Sequence, residues 1–283
     1  MLDFLAAVRD PDLPFLRYAL AAGALASVAF GVLGSYVVVR RIGYLAGAIA
    51  HSVLAGIGAA LYLQHARGLA WCSPIAGALA SGLLAAVAIG LVSRYARQRE
   101  DTVIGAIWSV GMAVGLLFLA KTPGYIDAMS YLFGSILMVG RRDLLNVAAL
   151  DALVVGVAAL SYNRLLAVSF DEEFSALRGL RVTAYYLLLL CLTAVAVVLL
   201  MRVVGLVLVI ALLTLPAAIA GQFARRLWQM MVLASALCLL CTAAGIGFSY
   251  RYDLPTGPTI ILLAGAGYLL VLCAGHLRRR SPR

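Results

Sequence analysis

Residues 43–59, GYLAGAIAHSVLAGIGA, decide the fold class. The run is apolar, is built mostly from small residues and carries one ionisable side chain, His51. At helical spacing Gly43, Gly47, His51, Ala55 and Ala59 share one face. Small residues in that register let helices approach closely inside a bilayer. A histidine on the same face is costly against lipid, so it is expected to face protein or water. The stretch reads as a membrane helix forming the wall of a pathway.

The remaining chain has the same character. Of its 283 residues, 64% are hydrophobic and 12% charged, and the mean hydropathy is +1.04. A soluble domain is roughly half apolar and about a quarter charged, so a soluble enzyme is excluded. The formal charge of +10 is carried by arginine clusters between apolar runs. That is the pattern of positive-inside anchoring, not of nucleic-acid binding. The opening residues, MLDFLAAVRDPDLPF, show no basic stretch before an apolar core, so no cleavable signal peptide is expected. Cys238 and Cys241 sit inside an apolar run, where they read as small packing residues.

A spanning helix needs about 20 apolar residues. Such runs are read at 18–39, 42–64, 74–93, 102–120, 144–162, 182–201, 204–221, 228–250 and 259–276. In the first, Gly23, Ser27 and Gly31 repeat every four residues as another close-packing face. Residues 126–139 are short for a span and read as a re-entrant piece, with Asp127 beside it. Asp151 is a carboxylate at membrane depth and therefore a functional candidate. Asp101 is expected to cap the helix that follows it. The polar segment 163–181 reads as a short amphipathic helix outside the membrane. Ser169 or Asp171 would cap it, Glu172 and Glu173 fill its first turn, and Gly179 stops it. The expectation is an all-α polytopic membrane protein of about eight transmembrane helices, with a short re-entrant helix and a cytoplasmic helix in 163–181. The whole chain, 1–283, is read as a single domain.

Orientation follows from the arginine-rich C-terminus, which should be cytoplasmic. Four spans separate it from 163–181, so that segment is cytoplasmic too. A re-entrant 126–139 puts 14 of the 22 Lys and Arg inside, and a spanning one puts 13 there. Charge leaves the choice open, and the shortness of the run favours re-entry. The sequence contains no G-x-x-x-x-G-K-[ST] motif, so any ATPase that drives transport is a separate chain.

Six stretches together carry a family resemblance: RRIGYLAGAIAHSVLAG at 40–56, REDTVIGAIWSVG at 99–111, MSYLFGSIL at 129–137, FDEEFSALRGL at 170–180, VVGLVLVIALLTLPAAIA at 203–220 and DLPTGPTIILLAG at 253–265. In that order the chain resembles the membrane permease subunit of bacterial ABC importers for zinc, manganese and ferrous iron, over residues 15–276. The resemblance implies a multi-pass protein of the bacterial cytoplasmic (inner) membrane that does no bond chemistry itself and is not an enzyme. It implies a homodimer with the path at its two-fold axis, two ATP-binding subunits on the cytoplasmic face and an extracytoplasmic solute-binding protein. No cofactor would be held permanently; the cargo is a divalent metal ion, and ATP sits on the partner subunit. Asp171, Glu172, Glu173, Phe174, Ala176 and Gly179 match the family's coupling helix. His51 matches a pathway histidine, with Asp127 and Asp151 as further metal-contact candidates. Family members often carry an aspartate four residues before that histidine; here the position is Gly47, leaving a lone imidazole. A dimer would bring two His51 side chains near its axis. Two other readings stay open: an ABC importer of a metal chelate, and a proton-coupled secondary transporter using His51 and Asp151.

Overall fold

The computed structural model describes residues 14–69, 71–95, 99–123, 134 and 136–280. All regular structure among them is helical. The long helices are α1 (Pro14–Val39), α2 (Gly43–Arg67), α3 (Pro74–Tyr95), α4 (Glu100–Lys121), α5 (Arg141–Phe170), α7 (Val182–Val204), α8 (Leu206–Phe223), α9 (Leu227–Tyr252) and α10 (Thr256–Arg280); α6 is the six-residue helix Glu172–Leu177. Nine helices among the described residues are long and apolar enough to cross a membrane, so the protein is a multi-pass membrane protein. The expected total of about eight is one short. Each of the nine apolar runs becomes a helix of its own.

Local chemistry sets most of the helix ends. Pro14 and Pro74 occupy the first positions of α1 and α3, where a missing N–H costs nothing. Ser73 Oγ accepts from the Ala76 N–H at 3.2 Å ahead of α3. Gly68 closes α2 in the left-handed region, φ +67°. Asp101 does not cap α4: Arg99 holds the cap position and Asp101 lies one residue inside the helix.

Two helix limits differ from expectation. α5 starts at Arg141 and runs to Phe170, past the expected 144–162. Asp143 Oδ2 accepts from the Gly140 N–H at 3.1 Å and holds the early start. At the other end Arg164 reaches the Tyr185 hydroxyl at 2.9 Å, while Leu165 and Val168 stay buried, so the polar residues at 163–164 do not end the helix. At 1.5 Å per residue, 30 residues span about 45 Å, more than a hydrocarbon core. The second difference is the re-entrant candidate. Its described part is a single 3-10 turn, Ile136–Met138, packed on α1 with Ile136 buried. Residues 126–133 and 135, Asp127 included, lie outside the described residues.

The chain divides into two compact units. One comprises Met1–Val39, Phe133–Gly156 and Val203–Arg283; the other comprises Arg40–Leu132 and Val157–Arg202. In the first, α1 packs on α8 and α9, and α8 on α9 and α10. Gly23, Gly31 and Gly34 of α1 meet Thr242, Ser235 and Leu213, and a Cβ at any of them would lie within 2.6 Å of those residues. Ser27 is buried on the same helix and donates its hydroxyl to the Ala24 carbonyl. In the second unit α2 packs between α3 and α4. A Cβ at Gly56 would lie 2.0 Å from the Gly77 carbonyl oxygen, and one at Gly77 would lie 2.3 Å from that of Gly56. Close approach of backbones explains why small residues dominate these helices.

Candidate functional site

The packing of α2 leaves one strip open. Residues 45–50, 52–54, 56–58, 60 and 61 are buried. His51, Ala55 and Ala59 are only partly covered, as is Gly43 at the first position of the helix. Three of these lie on one face at four-residue spacing, so the strip marked out by the sequence is the side of α2 that its own unit leaves unfilled.

Gly47 belongs to the same strip yet is buried, because Trp108 of α4 lies over it. A Cβ at Gly47 would stand 2.3 Å from Trp108 Cζ3. The indole also faces the imidazole of His51, with ring centroids 4.5 Å apart and planes at 42°. His51 Nδ1 is 3.0 Å from the Gly47 carbonyl oxygen. A carbonyl only accepts, so Nδ1 carries the proton and Nε2 keeps its lone pair. The strip therefore presents one nitrogen donor beside an aromatic face. Gly47→Ala is expected to lower thermal stability in detergent by about 1–3 kcal/mol through overpacking. Trp108→Ala in the same chain should remove that penalty. A double variant whose loss equals the sum of the two single losses would show that the indole does not set the constraint.

Of the other metal-contact candidates, Asp127 lies outside the described residues. Asp151 belongs to the first unit, ten residues into α5 and about 15 Å from its start. It is 8% exposed, and both carboxylate oxygens are buried. No three His, Cys, Asp or Glu side chains come together among the described residues.

The segment after α5 folds as a capped helix. Asp171 is the N-cap, with Oδ1 accepting from the Phe174 N–H at 2.9 Å. Gly179 has φ +79°. The Gly179 N–H bonds to the Ala176 carbonyl and the Leu180 N–H to the Ser175 carbonyl, the paired bonds of a Schellman stop. Phe170, Phe174 and Leu177 form an exposed apolar edge, with Ala176 and Glu173 also exposed. Arg178 lies 5.0 Å from the Phe174 ring centroid. Glu172 behaves differently: it turns back into the protein and pairs with Arg40 and Arg94.

Sequence reasoning missed Trp108, Arg40 and Arg94 as parts of these sites. The two arginines carried only an orientation signal. Trp108 had none, since α4 is apolar on nearly every side.

The six-motif resemblance is matched by direct comparison. The model of the family described as the ABC 3 transport family matches residues 12–275. The "Probable metal transport system membrane protein" of Chlamydia trachomatis is 42% identical over 260 residues, covering 92% of this chain and 88% of that protein. The manganese transport system membrane protein MntC of Halalkalibacterium halodurans is 32% identical over 257 residues, covering 90% and 86%. Among solved structures, PsaBC from Streptococcus pneumoniae in complex with Fab superposes with a TM-score of 0.81 at 28% identity, covering 95% of this chain and 94% of that one. The chain belongs to the ABC 3 transport family.

Proposed function

We propose that this chain is the transmembrane subunit of an ATP-driven bacterial importer of a divalent transition-metal ion. The observation that carries the reading is α6: a rigidly capped helix with an exposed apolar edge, on a chain with no nucleotide-binding motif. A separate ATPase supplies the energy and docks on Phe170, Phe174 and Leu177. The half-open strip of α2 suits a homodimer, in which a second copy completes the wall around His51 and contributes a second imidazole. The path then works by alternating access, and a solute-binding protein delivers the ion from outside. Zinc, manganese and iron are all compatible with a nitrogen ligand. Relatives named for manganese transport make manganese the first cargo to test.

The test is co-expression with the ATPase subunit, followed by co-purification and by uptake of manganese into vesicles. Phe174→Asp combined with Leu177→Asp should cut co-purification about tenfold, the effect of about 1.4 kcal/mol at an interface. Thermal stability of the chain alone should not change, because both side chains are exposed. Uptake driven by a pH gradient with no ATPase present would replace this reading with the proton-coupled one.

A further inference from the structure

Glu172 is the one acidic residue of α6 that does not face outward, and its partners tie α6 to two membrane helices. Its Oε1 pairs with Arg40 Nη2, and its Oε2 lies 2.9 Å from Arg94 Nη1. Arg40 sits in the link between α1 and α2, three residues before α2 begins. Arg94 is the penultimate residue of α3. Both carboxylate oxygens are thus committed, each to a different element.

Arg40 is held from every side. Besides Glu172, its Nη1 donates to the Val168 carbonyl at 3.1 Å near the end of α5, and its guanidinium lies 4.4 Å from the Tyr186 ring centroid of α7. Its side chain is 9% exposed. A cation so enclosed keeps its place only while its partners do. Next to it Arg41 takes a left-handed backbone, φ +60°, a conformation rare outside glycine, so the entry into α2 is a defined turn. A displacement of α6 pulls on Glu172, Glu172 on Arg40, and Arg40 on the start of the helix that carries His51. The second arm does the same to α3 through Arg94.

The geometry points to Glu172 as the transmission residue of the coupling helix: it carries movement of α6 to α2 and α3 through Arg40 and Arg94 and makes no contact that holds the ATPase. This rests on the reading of α6 as the ATPase-docking helix. It divides α6 into two functions. The outward edge, Phe174 and Leu177 together with Phe170 at the end of α5, binds the partner, and the carboxylate of Glu172 passes the movement on. Glu172→Gln removes the charge without changing the size. The amide keeps one acceptor oxygen and turns N–H donors toward a guanidinium that has none to accept them, so one of the two arginines loses its partner.

The experiment uses the complete complex with its ATPase, reconstituted in vesicles, and reads three quantities: ATPase bound per permease, ATP hydrolysed, and manganese taken up. For Glu172→Gln the expected result is wild-type ATPase binding and hydrolysis with about a tenfold rise in ATP spent per ion moved, the scale of one charge-assisted hydrogen bond. A purely structural role would lower binding, hydrolysis and uptake together and leave that ratio unchanged. Arg94→Met, at a half-exposed site that tolerates substitution better, should move the ratio in the same direction by a smaller factor. Loss of the ATPase subunit from Glu172→Gln makes Glu172 a docking residue and overturns the proposal, and so does an unchanged ratio in both variants. If the wild-type chain itself fails to bind an ATPase, it is the docking-helix reading that falls.

Discussion

Gly34→Val leaves little folded protein in the membrane. A Cβ at Gly34 would stand 2.2 Å from the carbonyl oxygen of Leu213 and 3.1 Å from its carbonyl carbon. These are backbone atoms of α8, so no rotamer change makes room; the two helices must move apart. Gly31, one turn earlier, is equally tight against α9, with a built Cβ 2.0 Å from Ser235 Oγ and 2.5 Å from the Ser235 nitrogen. α1 is therefore fixed on two neighbours by two glycines, and parting it from α8 also disturbs α9. Overpacking a core costs about 1–3 kcal/mol where side chains can adjust. Against backbone the loss should exceed about 3 kcal/mol, a large share of the stability of an ordinary domain. In a bilayer the damage is not offset by a hydrophobic gain, because helix association there rests on packing itself. The check is the yield of monodisperse protein in detergent and its melting temperature. Gly156→Ala is the control. It lies within α5 with nothing inside 4 Å of a built Cβ, so alanine should be neutral or stabilising by about 0.5–1 kcal/mol. Wild-type yield and melting for Gly34→Val would show that α1 and α8 do not touch at Leu213.

The ease of reading this chain follows from where its information lies. Spans are visible because a bilayer demands long apolar runs, and the register of small residues in α1 and α2 is visible because close backbone approach admits little else. α6 was legible for a different reason: Asp171 and Gly179 act within a few residues of their own positions, so cap and stop can be read locally. Helix ends were harder. Asn163 and Arg164 looked like the end of a span, but an arginine that reaches a tyrosine hydroxyl can remain on a helix that continues past it. The indole over Gly47 and the two arginines on Glu172 were not legible, because each joins residues more than 50 positions apart. Apolar helices carry no polar face to show which side meets which neighbour. A glycine at 47 could be read as the loss of a ligand; only the packing shows that another residue occupies the vacated space.

That occupied space bears on the last expectation: His51→Ala stops metal uptake while the ATPase stays attached. The imidazole donates through Nδ1 to the Gly47 carbonyl, so Nε2 is the lone pair it presents, on the one side of α2 left open by its own unit. No other described residues assemble a three-ligand group that could take over. In the proposed homodimer a lone imidazole from each copy would make a weak site, which suits a transporter, where an ion must leave as readily as it enters. Removing the groups that only orient a metal ligand costs about 10–100-fold, so removing the ligand itself should cost at least that in uptake. Docking should be untouched, because the exposed edge of α6 belongs to a different helix from His51. Trp108→Ala separates the ligand from its setting. It keeps Nε2 and removes the face against which the ring rests, so uptake should fall less than in His51→Ala, and the metal concentration for half-maximal uptake should change more than the maximal rate. Trp108→Ala combined with Gly47→Asp then places a carboxylate where the indole was, one helical turn before His51. This double variant should bind manganese more tightly and release it more slowly than wild type, with a lower half-saturating concentration and a lower maximal rate. Wild-type uptake in His51→Ala would move the path off α2 altogether. Wild-type behaviour in the double variant would mean that residue 47 does not face the ion.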